Sequence, residues 1–319
     1  MRAEQTFEVA CAQPFCAEAL LGFLGRRTIT GVEAYAVTDG LVRYARTVRL
    51  THGPGLIELT WTGRVLLATT RTARPDCDEA VALIERLCDA HAPAESIDAQ
   101  LGRSEALRGL VRSRPGLRVP GTVDTEELAF RALIGQQISL AAAATCAAKL
   151  AYRFGEPVNL PGRELTRLFP SATALAAVDP AELPMPAARG RALVGLARIL
   201  SDGTLDLASD RPWASRRAAL LATRGIGPWT ADYIAMRALG NRDVLLATDL
   251  VIKRELARRG ITTTADWAPF RSYATMHLWF GSPVFATGQL WRCAQRRRSK
   301  SSDLTSGEAL CVETDPGAP

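Results

Sequence analysis

The sequence predicts a mainly α-helical protein with a small N-terminal α+β domain. Three observations predict it. The strong strand signals all fall between residues 30 and 70, bracketed by turn residues. From Asp124 onward the apolar residues recur at helical spacing and the strand signals stop. The composition, 47% hydrophobic and 23% charged over 319 residues, is that of a globular chain long enough for two domains.

The strand stretches are VEAYAV, LVRYARTVRL, LIELTW and RVLLAT, rich in β-branched and aromatic residues. Asp39-Gly40, Gly53-Pro54-Gly55 and Thr62-Gly63 read as the turns between them. Helices are expected before them, over Ala17–Arg26, and after them, over Cys77–Ala90, where Val81, Ile84, Leu87 and Cys88 share a face. Residues 1–112 form the predicted α+β domain, an antiparallel sheet plus helices, and Arg112–Gly121 (RSRPGLRVPG) reads as a linker. Asp124-Thr-Glu-Glu127 opens the next helix in the manner of a capping box. Amphipathic segments follow over 124–154, 163–168, 171–177, 187–202, 214–223, 229–239 and 249–259, so an all-helical domain is expected over 113–292. Residues 293–319 are basic and then acidic. From about Ser299 they carry no apolar periodicity, and the tail is expected to be disordered.

No apolar run approaches a membrane span, and the N-terminus lacks a secretory signal. Seven cysteines form no CxxC pair, and three histidines lie far apart. That pattern fits a reducing cytoplasm and spells no zinc or iron–sulfur site. The formal charge of +6 is unevenly spread. Basic residues number 15 against 14 acidic over 1–120, 24 against 15 over 121–300, and none against four over 301–319. The surplus therefore sits in the helical half, where a polyanion would bind; a merely solvated surface is the plainer reading.

The sharpest motif is Leu220-Leu-Ala-Thr-Arg-Gly-Ile-Gly-Pro-Trp-Thr-Ala-Asp-Tyr233. A helix ends, Gly225-Ile226-Gly227 turns tightly, and Pro228 stands where a new helix begins. Exposed N–H groups at that second helix start suit a phosphate, so the segment reads as a helix-hairpin-helix gripping a DNA backbone. GxG alone would favour an ordinary αα-hairpin with a Gly-rich turn. Some ten residues beyond that helix comes Val244-Leu-Leu-Ala-Thr-Asp249, with Thr248 the expected N-cap and Asp249 in the first turn, where a helix dipole favours a carboxylate. Alone, Asp249 is a common first-turn acid.

Together the two segments resemble the helix-hairpin-helix–Gly/Pro–Asp superfamily of DNA glycosylases, and within it the alkylation-repair branch, 3-methyladenine DNA glycosylase II, found alone or fused to adaptive-response proteins. Three further landmarks agree: Ala132-Leu-Ile-Gly-Gln-Gln-Ile-Ser139 with the helix that approaches the lesion, Leu20-Leu-Gly-Phe23-Leu with the N-terminal domain, and Arg271–Trp279 with the closing helix. The resemblance runs from about Phe15 to Trp291. It implies that Asp249 is the catalytic carboxylate, that Phe23, Trp229, Tyr233 and Trp279 line the cleft for the extruded base, and that Gly225, Ile226 and Gly227 hold the DNA backbone. Electron-rich ring faces suit a cationic alkylated purine; plain core packing is the alternative for each aromatic, Trp279 above all. Gln137 stands where a relative inserts a leucine into the base stack, so it is the candidate wedge. Thr223-Arg224 replaces the family's common Leu-Pro, and Leu250 occupies a position that can be aromatic.

The resemblance implies hydrolysis of the N-glycosidic bond of alkylated bases in double-stranded DNA by a monomeric, cytoplasmic enzyme of base excision repair. It implies no cofactor or metal, apart from a monovalent cation that the hairpin backbone could hold. Two rivals are distinguishable. A glycosylase/lyase would carry a Schiff-base lysine where this chain has Trp229; in the folded region only Lys149 and Lys253 are lysines, and Lys253, four residues from Asp249, reads as a surface ion pair. A non-catalytic DNA-binding module would need only the hairpin and would have no use for the aspartate and the four aromatics. No methyl-accepting cysteine domain is recognisable ahead of the fold, so direct methyl transfer is not expected.

Overall fold

The structure is a computed structural model, and it describes residues 2–159, 164–207 and 212–286. Five antiparallel strands form one sheet: β1 (Arg2–Glu8), β2 (Glu33–Thr38), β3 (Leu41–Leu50), β4 (Gly53–Trp61) and β5 (Leu66–Ala73), in the order β1-β5-β4-β3-β2. Asp39 (φ 53) and Gly40 (φ 79) are both left-handed and close the β2–β3 hairpin with a two-residue turn. Gly53-Pro54-Gly55, expected as a turn, instead begins β4, and the reversal lies at Thr51-His52. Side chains make that turn: Glu79 accepts the Thr51 N–H at 3.0 Å and Asp76 the His52 N–H at 3.1 Å. β1 was not foreseen; it pairs with β5 along the sheet edge.

Helices α1 (Ala17–Gly25) and α2 (Cys77–Cys88) cover the sheet. Two further helices, α3 (Ala94–Arg103) and α4 (Glu105–Ser113), lie in a stretch that carried no prediction. The expected linker is no linker. Leu117, Arg118 and Val119 are buried, and a side chain at Gly116 would collide with the Pro14 carbonyl. Arg118 donates to the carbonyls of Gly116 and Ala12, so the segment is a packed strap.

The helical half comprises α5 (Thr125–Ile134), α6 (Leu140–Phe154), α7 (Ala172–Ala176), α8 (Ala187–Ser201), α9 (Trp213–Ala222), α10 (Pro228–Arg237), α11 (Leu250–Arg258), α12 (Arg271–Gly281) and the short α13 (Pro283–Ala286). Asp124 caps α5 by accepting the N–H groups of Glu126 and Glu127. Glu127 does not complete the box, because its carboxylate is drawn to Arg46 and Arg131. The continuous segment expected over 124–154 is broken at 135–139, where Gln137 is left-handed (φ 57) and Ser139 caps α6. Of the helix expected over 163–168, the described residues are extended, with Arg167 bridged to Pro157 and the Thr166 and Arg167 N–H groups bonded to the Gly31 carbonyl. The tail 293–319 lies outside the described residues.

The two halves are not packed independently. One apolar cluster takes Phe23, Ile29, Ile97 and Leu107 from the N-terminal side together with residues of α5, α8, α10 and α12. A buried ion network crosses the same junction. Arg46 on β3 binds Glu33 at 3.3 Å and Glu127 at 2.6 Å, while Arg131 on α5 binds Glu33 at 3.0 Å and Glu127 at 2.8 Å. Burial raises the Glu33 carboxyl, but Arg131 and Arg46 outweigh it and hold the group below its usual range. Among the described residues no helix is long and apolar enough to cross a membrane.

Candidate active site

A cavity of about 350 Å3 lies between the sheet, α5, α6 and the hairpin formed by α9 and α10. Its walls include Asp249, Trp229, Tyr233, Trp279, Arg27 and Leu140.

Asp249 reaches it because the preceding stretch is tied down. The Ser272 hydroxyl on α12 donates to the Asn241 carbonyl at 2.7 Å and accepts the Val244 N–H at 3.0 Å, and Arg271 grips Asp243 through two contacts of 2.6 and 2.7 Å. Asp249 is then itself the N-cap of α11, displacing Thr248 from the expected role. Its backbone is extended (φ −66, ψ 132), and Oδ1 accepts the N–H groups of Val251 at 2.9 Å and Ile252 at 3.0 Å. Two indoles complete its surroundings: Trp229 Nε1 donates to Oδ2 at 2.9 Å and Trp279 Nε1 to Oδ1 at 3.3 Å. Lys253 is exposed, and the expected ion pair with Asp249 is not among these contacts.

Trp229 and Tyr233, one turn apart on α10, stack at 5.1 Å and 10°. Tyr233 also meets Trp279 at 6.3 Å, tilted by 53°. Phe23 belongs to the same aromatic group, 6.3 Å from Trp279, yet it is fully buried behind that ring and does not line the cavity. Sequence reasoning missed the arginines around it. Arg27 lies 3.6 Å over the Phe23 ring and Arg237 4.8 Å from it, and Arg237 donates to the Tyr233 hydroxyl at 2.8 Å. Burial brings Arg27 down to about 10, which leaves it charged at neutral pH. Burial raises the Tyr233 hydroxyl, but Arg237, Arg27 and Arg131 outweigh it and hold the group below its ordinary value. Arg237, four residues after Tyr233 on one helix, was the available signal. Phe285 on α13, 6.2 Å from Trp279 and parallel to it, was also missed.

The hairpin separates two kinds of glycine. Gly225 is required by the fold: its φ is +87, and a Cβ there would lie 2.6 Å from that of Ala192. Gly227 has an ordinary backbone (φ −96, ψ 176), and a Cβ there would meet nothing within 4 Å. The chain itself has no need of a glycine at 227. Ile226 between them is buried and anchors the turn. Gln136 braces it from the turn after α5, donating to the Gly225 carbonyl at 2.9 Å and the Thr230 hydroxyl at 2.7 Å. Gln137, beside it, is exposed and does not line the cavity.

The architecture is that of the helix-hairpin-helix DNA glycosylases. The 3-methyladenine DNA glycosylase from Archaeoglobus fulgidus superposes with a TM-score of 0.70 over 86% of this chain and 97% of that one, at 19% identity. Residues 6–124 match the AlkA N-terminal domain family. The sequence is 34% identical over 271 residues to DNA-3-methyladenine glycosylase 2 of Escherichia coli, a match that covers 82% of this chain and 92% of that one. This chain belongs to the DNA-3-methyladenine glycosylase 2 family. It is also 41% identical over 277 residues to a protein of Mycobacterium tuberculosis named "probable bifunctional transcriptional activator/DNA repair enzyme AlkA", covering 83% of this chain and 55% of that one. It thus spans about half the length of that relative.

Proposed function

We propose that this protein is a monofunctional glycosylase that hydrolyses the N-glycosidic bond of alkylated bases, of the 3-methyladenine type, in double-stranded DNA and leaves an abasic site. The observation that carries the reading is Asp249: a carboxylate in the wall of an aromatic cavity, held by four N–H donors, beside a hairpin with an unobstructed backbone. The name of the Escherichia coli relative supports the same reaction, and that of the Mycobacterium tuberculosis relative supports a role in DNA repair.

A base within a duplex is out of reach, so the nucleotide turns out of the stack into the cavity. Trp229, Tyr233 and Trp279 offer ring faces to the alkylated purine, whose positive charge is attracted to them. As the C1′–N bond breaks, the base leaves with the electron pair and positive charge grows on the sugar. Asp249 stabilises that charge and orients the water that adds to C1′, whose surplus proton passes to solvent. The base is already cationic and departs without prior protonation, so the chemistry calls on no second carboxylate. Trp229 occupies the position of the lyase lysine, which supports a hydrolytic outcome without a covalent enzyme–DNA intermediate. Gln137, exposed on the turn ahead of α6, is the candidate wedge for the vacated stack. The mechanism uses no metal. The hairpin carbonyls of Thr223 and Gly225, each accepting one hydrogen bond among the described residues, are the groups that would hold a monovalent cation. A monomeric, cytoplasmic enzyme of base excision repair belongs to the same reading.

The test is Asp249→Asn, measured by single-turnover release of methylated purines and by gel shift. Release falls on the order of 10²–10³-fold, while duplex binding is retained. Release at the wild-type rate would remove Asp249 from the mechanism.

A further inference from the structure

The donors around Asp249 are shared unequally between its two oxygens. Oδ1 accepts three: the N–H groups of Val251 and Ile252 and, at 3.3 Å, the indole of Trp279. Among the described residues Oδ2 accepts one, the indole of Trp229 at 2.9 Å. A carboxylate offers about two acceptor sites per oxygen. Oδ1 is therefore fully occupied, and Oδ2 keeps one lone pair.

The two indoles reach this carboxylate from different helices, α10 and α12, fifty residues apart. Stacking alone does not require that convergence, because a ring turned over in its plane presents the same face with its N–H elsewhere. Neighbours fix the plane of each ring but not the direction of its N–H. Trp229 lies parallel on Tyr233 at 5.1 Å, and Trp279 lies between Phe285 at 6.2 Å and Phe23 at 6.3 Å. The backbone cap fixes only the Oδ1 edge of Asp249. The plane of the carboxylate, and with it the direction of the Oδ2 lone pair, is left for the indoles to set.

We infer that Trp229 and Trp279 are positioning residues for Asp249, acting through their indole N–H groups, and that they reserve the free Oδ2 lone pair for the sugar cation. The inference rests on the proposed catalytic role of Asp249 and adds to the tryptophans a function separate from stacking. Trp229 carries the larger share, because its hydrogen bond is shorter and, among the described residues, is the sole one on the reactive oxygen.

Trp229→Phe tests it, since it keeps an aromatic face on Tyr233 and removes the N–H. Two quantities are read. One is single-turnover release of 7-methylguanine from methylated duplex. The other is the affinity for a duplex carrying a pyrrolidine nucleotide, a cationic mimic of the sugar, relative to one carrying a neutral tetrahydrofuran abasic site. The variant loses about tenfold or more in release and a similar factor in pyrrolidine preference, while tetrahydrofuran binding stays unchanged. Trp279→Phe shows the same pattern with a smaller loss, and thermal melting of both variants reports folding. Wild-type release and preference in Trp229→Phe overturn the inference. So does slower release with the pyrrolidine preference intact, which would leave the ring a purely stacking role. Asp249→Asn, run alongside, separates the two levels. If it releases base normally, the underlying reading falls. If it is inactive while Trp229→Phe behaves as wild type, only the indole inference falls.

Discussion

Gly225 and Gly227 stand two residues apart in one hairpin, yet replacing each by alanine should fail in different assays. At Gly225 the methyl group meets a left-handed backbone (φ +87) and the Ala192 Cβ at 2.6 Å. The left-handed conformation costs an alanine roughly 1–2 kcal/mol. Forcing the hairpin off α8 to relieve the overlap costs about 1–3 kcal/mol more. Gly225→Ala therefore destabilises by about 2–5 kcal/mol, a large part of the roughly 5–15 kcal/mol that a domain has. At Gly227 neither term applies, because φ is −96 and the space is open. There alanine is neutral or stabilises by up to about 1 kcal/mol through the unfolded chain. It nonetheless puts a methyl group where a phosphate would meet the start of α10. Losing a charge-assisted hydrogen bond there weakens duplex binding by about 10- to 100-fold. Urea unfolding and fluorescence anisotropy with a lesion-free duplex separate the two effects. Gly227→Ala binding DNA like the wild type would refute the backbone-grip reasoning, however stable the variant proved.

Three further outcomes are expected. Duplex affinity falls by roughly 10²-fold or more between low and moderate salt, as counterion release at several phosphates requires; titrations at two salt concentrations check it. Borohydride traps no enzyme–DNA adduct, and gel electrophoresis shows an intact strand until alkali is added; an adduct that disappears in Lys253→Ala would contradict the hydrolytic mechanism. His277 on α12 is buried, with neither ring nitrogen hydrogen-bonded among the described residues, and burial followed by Arg114 lowers it to about 3. The unfolded chain takes up this proton near pH 6.5 and the folded one does not, so stability is intact above that pH and falls by about 1.4 kcal/mol per unit below it, towards pH 3. His277→Leu should flatten this slope in urea titrations at pH 7 and 5.

What could be read in the sequence was whatever has a local cause. β2 to β5 announced themselves through β-branched and aromatic residues and the turn residues around them, and α5 through Asp124. β1 did not, because Arg2–Glu8 is mostly polar and gains its place only by pairing along β5. The strap at 114–121 carries the Pro and Gly of a loop, and its burial comes entirely from elements distant in sequence, such as Arg237, which donates to the Pro120 and Gly121 carbonyls. α3 and α4 had a readable pattern: Ile97 with Leu101, and Leu107 with Val111, are spaced i to i+4 and buried. At the site, the aromatic residues and Asp249 could be marked one by one, but not how they meet. That Phe23 stands behind Trp279 and that both indoles turn their N–H groups to Asp249 are tertiary facts. So are the lowered pKa values of Arg27 and Tyr233, which depend on burial and on charged groups from several elements gathered around one cavity.

The place of Asp249 explains why it looks ordinary in sequence. An aspartate at a helix start is a frequent cap, and here it caps α11. A cap uses one carboxylate oxygen, so the other is free for different work, provided the surrounding chain keeps it dry and oriented. α10 and α12 do this with ring faces and indole N–H groups. Capping thus anchors the carboxylate at its Oδ1 edge and contributes stability that does not depend on its chemistry. Asparagine caps a helix about as well as aspartate does, and its side-chain carbonyl can take over the two backbone N–H groups. The group then turned towards Oδ2 is an amide, which carries no charge and would set its own N–H groups against the Trp229 indole. Asp249→Asn consequently keeps the helix start while removing the negative charge that the sugar cation needs. For this reason a loss of activity in that variant without a loss of fold would speak for chemistry and not for structure.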